Sequence, residues 1–84
     1  MYYVYVLQST ICKKLYIGST ADAEERLKSH NAGRTGWTRR YRPWTRVLLE
    51  SYPDRTTAEK RERYLKSGWG RRWIERTLRT GLAT

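Results

Sequence analysis

From residue 2 to residue 9 apolar side chains alternate across both faces of the chain, Val4 and Val6 on one side and Tyr3, Tyr5 and Leu7 on the other. A strand that is apolar on both faces belongs at the centre of a sheet. A turn near Thr10 to Lys13 leads into a second strand over residues 14–19, Lys-Leu-Tyr-Ile-Gly-Ser, and so short a connection makes the pair an antiparallel hairpin. Pairing Ser9 with Lys14 sets Leu7 opposite Tyr16 and Tyr5 opposite Gly18. Tyr5 and Tyr16 then lie diagonally adjacent on one face, and Gly18 leaves space beside Tyr5 for a ligand or a backbone to approach.

The period then changes to that of a helix. Asp22, with Glu25 three residues on, is a capping signal for a helix over Ala23 to His30, which Asn31-Ala32-Gly33 ends. Ala23 and Leu27 define its apolar stripe, and Arg26 and His30, four residues apart, share one border of it toward the sheet margin. Arg46 to Tyr52 reads as a third strand closed by Pro53-Asp54. A second long helix is expected from Thr56, with Glu59 completing its capping box, to Lys66, where Ser67-Gly68 stops it. Its inward residues are Ala58, Tyr64 and Leu65; Glu62 falls about 40° from Ala58 and borders the buried face, whereas Glu59 falls about 100° away and looks outward. Trp69, Trp73, Ile74 and Leu78 make a wide apolar stripe, read as core, on a last helix from about Gly70 to Leu78. The order β-β-α-β-α-α describes an α/β (α+β) sandwich, a small three-stranded antiparallel sheet flanked by helices.

At 84 residues the chain is sized for one domain, residues 1–84, with one core and no second lobe, which excludes a multidomain or large-cavity enzyme. Cys12 is its one cysteine, so there is no disulfide framework and no cysteine-built zinc site; a lone thiol in a turn fits the reducing cytoplasm. No apolar run approaches the ~18 residues of a membrane span and the N-terminus lacks the marks of a signal peptide, so a soluble cytoplasmic protein without a membrane partner is expected.

Charge sharpens this picture. The 18 Lys and Arg against 8 Asp and Glu give a net +10. The excess is most one-sided over residues 34–49, which carry 5 basic side chains and no acidic one. There Arg34, Arg39, Arg40 and Arg42 alternate with Trp37, Tyr41, Trp44 and glycines, a mixture that grips phosphates while offering flat faces to bases. A nucleic-acid partner is the reading this supports, with Arg34, Trp37, Arg39, Arg40 and Arg42 as the contact residues. The plainer alternative is a solvated loop anchored to the core by its aromatics.

Other chemistry is thin. The chain has no Gly-rich phosphate loop, no His-Glu-x-x-His and no G-x-S-x-G, and a single histidine cannot build a multi-histidine metal site. What remains is Tyr5 and Tyr16 on one sheet face, the Arg26 and His30 pair on the next helix, and Glu62 bordering the core on a later one. This arrangement, Tyr3-Val4-Tyr5, then Tyr16-Ile17-Gly18, Arg26 and His30, followed by Arg42-Pro43-Trp44 and the stretch from Ala58 through Glu62 to Arg71, resembles the GIY-YIG nuclease family. The likeness spans nearly the whole chain and is closest to the short stand-alone members sometimes labelled excinuclease-C-like. Tyr3 stands where the family has glycine, and no asparagine follows Asn31, although several members place one in the C-terminal part.

The resemblance implies a metal-dependent endonuclease that hydrolyses phosphodiesters by in-line attack of water, acting on DNA ahead of RNA, with structure-specific cutting in repair or recombination among its roles. It implies Tyr5 as general base, Tyr16 orienting the water or the phosphate, Arg26 stabilising developing charge, His30 relaying or donating a proton, and Glu62 holding one Mg²⁺ or Mn²⁺. Each residue also has a structural role open to it. The tyrosines can be half-buried sheet residues, Arg26 can pair with Asp22 and Glu62 with Lys66 at helical spacing, and His30 can cap its helix. At the level of the whole protein, the alternatives to a nuclease are a catalytically inactive nucleic-acid-binding module of the same fold and a small basic protein of a ribonucleoprotein.

Overall fold

The structure is a computed structural model that describes residues 1–80. Strands β1 (Tyr2–Ser9) and β2 (Leu15–Thr20) form the hairpin, followed by helix α1 (Ala23–Asn31), a short helix α2 (Gly36–Arg39), strand β3 (Trp44–Tyr52), and helices α3 (Arg55–Lys66) and α4 (Gly68–Thr80). The sheet is antiparallel in the order β2-β1-β3, which puts the doubly apolar strand in the middle. Tyr5 pairs with Gly18 and Leu7 with Tyr16, the register that the hairpin turn predicts. Between β1 and β3 the pairing slips at Val6/Leu7, a bulge that absorbs one extra residue of β3.

Alternation along β1 divides the core in two. Val4 and Val6 pack with Ile17, Ala58, Leu65 and Ile74 beneath α3 and α4. Tyr5 and Leu7 pack with Trp44 on the opposite face, joined by Tyr16, Leu27, Tyr41 and Leu49. The result is three layers, α1 with α2, the sheet, and α3 with α4, each helix pair covering one face. Gly70 is what lets α4 settle on α3: a Cβ there would overlap the Tyr64 carbonyl oxygen and the Leu65 backbone. Backbone cannot swing aside as a side chain can. Gly70→Ala is therefore expected to cost about 2 to 3 kcal/mol, measurable as a lowered midpoint in urea at unchanged slope.

Several local expectations are corrected. The basic stretch is not a loop throughout, since α2 forms within it and makes the order β-β-α-α-β-α-α. Helix α3 is capped by Asp54, whose carboxylate accepts from the Thr57 amide at 2.7 Å, rather than by Thr56. Glu59 completes no capping box there and pairs with Arg55 at 2.9 Å. Ser67 alone separates α3 from α4, which starts two residues earlier than its apolar stripe suggests. Tyr64 and Trp69 are not core: they are 45% and 71% exposed, each under an arginine, Arg61 over the Tyr64 ring and Arg72 over the Trp69 ring. Such stacking lets an aromatic stay in water on a basic helix. No helix among the described residues is long and apolar enough to cross a membrane.

Candidate active site

The hairpin register brings the first four candidates together on the α1 side of the sheet. Tyr5, buried on the central strand, and Tyr16, on the edge strand, have ring centroids 6.2 Å apart. Helix α1 crosses above them, and its four-residue spacing carries Arg26 and His30 to the same spot. Arg26 Nε donates to the Tyr5 hydroxyl at 3.3 Å, and His30 Nε2 lies 3.1 Å from that oxygen. The His30 ring packs 4.7 Å from the Tyr16 ring. Gly18 is required here, because a Cβ would come within 2.6 Å of the Tyr5 hydroxyl.

His30 is fully buried, a position that rules out a role as an exposed helix cap. Its second nitrogen is held by α2: Nδ1 lies 2.8 Å from Thr38 Oγ1 and 2.9 Å from Thr35 Oγ1, and the two hydroxyls touch each other. The Thr38 hydroxyl donates to the Thr35 carbonyl at 3.3 Å, which leaves its oxygen to accept from Nδ1–H. That pattern assigns the free lone pair to Nε2, facing the Tyr5 hydroxyl. Thr38 is itself buried, and neither threonine stands out in the sequence. Thr38→Val is expected to cost about 1 to 2 kcal/mol by stripping a buried partner from His30. Chemical denaturation reads that loss, and Thr38→Ser should restore it.

Glu62 reaches the same strand from the other side. Ser19 follows Gly18 and pairs with Val4, so it faces α3, and its hydroxyl donates to Glu62 Oε1 at 2.6 Å. Lys66 donates to Oε2 at 2.7 Å, the helical pair that spacing allows. Arg26, in contrast, makes no ion pair with Asp22; its backbone amide bonds the Asp22 carbonyl, and its guanidinium serves Tyr5. Ser19 is a third residue that sequence alone does not single out, since its partner lies 43 positions away.

Electrostatics set the protonation states. Burial pushes the Tyr5 phenol up to about 12; the Arg26 hydrogen bond works against this, while Tyr16 and Glu62 add to it. Burial and the nearby Arg26 charge hold His30 below the usual histidine range, so it is neutral at pH 7. Burial alone would raise the Glu62 carboxyl, but Lys66 and Ser19 outweigh it and hold it below the ordinary glutamate value. Among the described residues no three His, Cys, Asp or Glu side chains gather into a metal cage. The donor set is one half-buried, ionised carboxylate with lone pairs to spare beyond Ser19 and Lys66. That suits a hard cation that keeps most of its water, and suits no soft or closed site.

The five arginine-loop candidates divide. Arg34 is drawn toward Glu25 at 3.7 Å. Arg39, Arg40 and Arg42 are exposed and have no carboxylate partner among the described residues. Trp37 is 49% exposed, its ring 5.1 Å from Tyr41 and 6.0 Å from Trp44. Trp44 is buried, its indole donating to the Thr38 carbonyl and its backbone clasped by the Asn31 amide at 2.6 and 3.1 Å. The loop is thus both anchored and open, with Trp44 the anchor and Trp37 presented outward.

A small α+β domain with two tyrosines, an arginine and a histidine converging at a sheet edge, and one carboxylate behind it, defines a class of catalytic domain. Residues 1–73 match the GIY-YIG catalytic domain, and the chain belongs to that nuclease family. It is 37% identical over 67 residues to a UPF0213 protein of Haloquadratum walsbyi, covering 79% of this chain and 74% of that one. It is 43% identical over 56 residues to the structure-specific endonuclease subunit SLX1 of Ajellomyces capsulatus, covering 60% of this chain but 13% of that protein. The solution structure of the UPF0213 protein BH0048 of Bacillus halodurans superposes with a TM-score of 0.53 at 28% identity, covering 88% of this chain and 82% of that one.

Proposed function

We propose that the protein is an endonuclease that hydrolyses phosphodiester bonds in DNA, with Tyr5, Tyr16, Arg26, His30 and Glu62 as its active site and Mg²⁺ or Mn²⁺ as its cofactor. The observation that carries this reading is the double engagement of the Tyr5 hydroxyl, by Arg26 at 3.3 Å and His30 at 3.1 Å. A sheet tyrosine with a purely structural role needs one partner for its hydroxyl; this one sits between a cation and a proton acceptor.

In the proposed reaction Tyr5 takes the proton of the attacking water as its own proton passes to His30 Nε2. The water oxygen bonds to phosphorus, the bond to the leaving sugar oxygen breaks with its electron pair staying on that oxygen, which takes a proton from solvent water, and inversion follows from the in-line geometry. Arg26 balances the charge that grows on the phosphoryl oxygens, and the Tyr16 hydroxyl orients the water or the phosphate. A hydrated divalent cation on Glu62, when bound, adds Lewis-acid stabilisation of the phosphate and the departing oxygen. The experiment is cleavage of duplex, single-stranded, flap and branched DNA by the purified protein with Mg²⁺ or Mn²⁺ and with chelator. Cutting that needs the metal supports the reading. Binding without cutting under every condition makes the protein a nucleic-acid-binding module instead.

The arginines of α2 and its flanks would supply sequence-independent affinity. Neutralising roughly three to five phosphates gives a slope of log K against log salt of about −3 to −4.5 on duplex DNA. Replacing Arg39, Arg40 and Arg42 together by alanine is expected to flatten that slope by about 2 to 3. Fluorescence anisotropy across a salt series measures it, and an unchanged slope would remove this loop from the interface.

A further inference from the structure

A groove of about 260 Å³ runs along the outer edge of β2, lined by Leu15, Tyr16, Ile17, Trp37, Lys66 and Arg71. Its composition is specific. Trp37 offers a flat face that is half open to solvent, while Leu15 and Ile17 are aliphatic. Arg71 supplies one positive charge, Lys66 a second that is shared with Glu62 at 2.7 Å, and no acidic side chain lines the groove itself. Arg71 is exposed and, among the described residues, has no carboxylate partner. The groove is continuous with the candidate active site at two points. Tyr16 belongs to both, and Lys66 is bonded to the Glu62 carboxylate at 2.7 Å.

An aromatic face beside two cations is the recognition chemistry of a nucleotide, with stacking for the base and paired charges for its phosphate. An acidic peptide would use the cations but leave the indole idle. We infer that this groove is a subsite for the nucleotide next to the scissile phosphodiester, with Trp37 stacking its base and Arg71, assisted by Lys66, holding its phosphate. The subsite rests on the nuclease reading for its position beside a scissile bond, and on the groove's own chemistry for its ligand. Helix α4 thereby takes part in substrate binding through Arg71, which lines the groove, in place of Arg72 and Arg76, which do not.

The test is binding of a labelled single-stranded DNA decamer in chelator, where no cleavage occurs, read by anisotropy across a salt series. Arg71→Ala should weaken binding about five- to tenfold and reduce the salt slope by about 0.7, the value for one phosphate contact on a single strand. Arg76→Ala removes the same charge from the same helix outside the groove, and should cost less than about twofold. Trp37→Leu should weaken binding at least about fivefold. With single abasic positions walked along the decamer, the wild type should lose affinity at one position where Trp37→Leu does not. Equal losses in the Arg71 and Arg76 variants, or the same abasic profile with and without Trp37, would overturn the subsite. Because no step needs turnover, the two readings fail separately. A wild type that binds in this pattern yet never cuts keeps the nucleotide site and overturns the nuclease. A wild type that cuts while Arg71→Ala and Trp37→Leu bind as it does overturns the subsite alone. A wild type that binds no decamer in chelator overturns the subsite, and the nuclease reading then stands or falls on cleavage with metal.

Discussion

Tyr5→Phe is expected to lower DNA cleavage by about two to four orders of magnitude while leaving the fold in place. The ring stays in its cluster with Leu7 and Trp44, so the apolar packing of the α1 face is preserved. What goes is one oxygen, bonded by Arg26 and facing His30. With its phenol pushed up to about 12, Tyr5 is ionised in only about one molecule in a hundred thousand at pH 7, too few for a free phenolate to serve. A concerted transfer to His30 avoids that penalty and has its own pH signature. Neutral His30 is the competent form, so activity is lost as pH falls through its pKa, which burial and Arg26 hold below the usual 6.5. Above that range the rate should level off. A rate that keeps climbing about tenfold per pH unit to pH 9 would make a free phenolate the base and remove His30 from the relay. Rates at saturating substrate from pH 5 to 9, with circular dichroism of the phenylalanine variant, decide both points. A folded, fully active Tyr5→Phe protein would return Tyr5 to a sheet aromatic.

How far the sequence reveals such an arrangement depends on how local the causes are. The hairpin register follows from a short turn and a period of two, so the Tyr5–Gly18 and Leu7–Tyr16 pairings can be read directly. The four-residue step from Arg26 to His30 likewise sets both over one point. Helix α2 has no such signature. Its four residues carry no apolar period, and it is held by contacts to His30 and Trp44 that exist only once the chain has folded. At the start of α3 the box of Thr56 and Glu59 is the pattern the sequence offers, but Asp54 caps the helix because its carboxylate reaches the Thr57 amide at 2.7 Å. Helical periodicity also misleads at Trp69. Gly70 brings α4 down on the backbone of α3, and the stripe of Gly70, Trp73, Ile74 and Leu78 that follows turns Trp69 outward. Ser19 and Thr38 are hydroxyls with partners 43 and 8 residues away, and no local pattern announces either.

The sharpest division between a nuclease and a binding module is expected at Glu62. It is the carboxylate that borders the core and reaches β2, the edge strand that carries Tyr16, through Ser19, and it remains ionised because Lys66 and Ser19 outweigh its burial. A negative charge beside arginines that are proposed to hold phosphates repels a polyanion, so it serves binding poorly unless a cation stands between them. Lys66 cannot fill that role alone: it is one flexible ammonium, half exposed, and already paired with the carboxylate. Glu62→Ala should therefore abolish metal-dependent cleavage while binding DNA in chelator as well as the wild type or better. Lys66, freed from its partner, adds a positive charge to the groove. Glu59→Ala is the matched control on the same helix. Glu59 pairs only with the exposed Arg55, a contact worth at most about 0.5 kcal/mol, and faces away from the sheet edge. Its loss should leave cleavage within about twofold of wild type. Cleavage rates against metal concentration, together with anisotropy in chelator, separate the two variants. If they behave alike, or if the wild type cuts equally well in chelator, Glu62 is not the metal-holding residue, and its bonds to Ser19 and Lys66 are structural ties between α3 and β2.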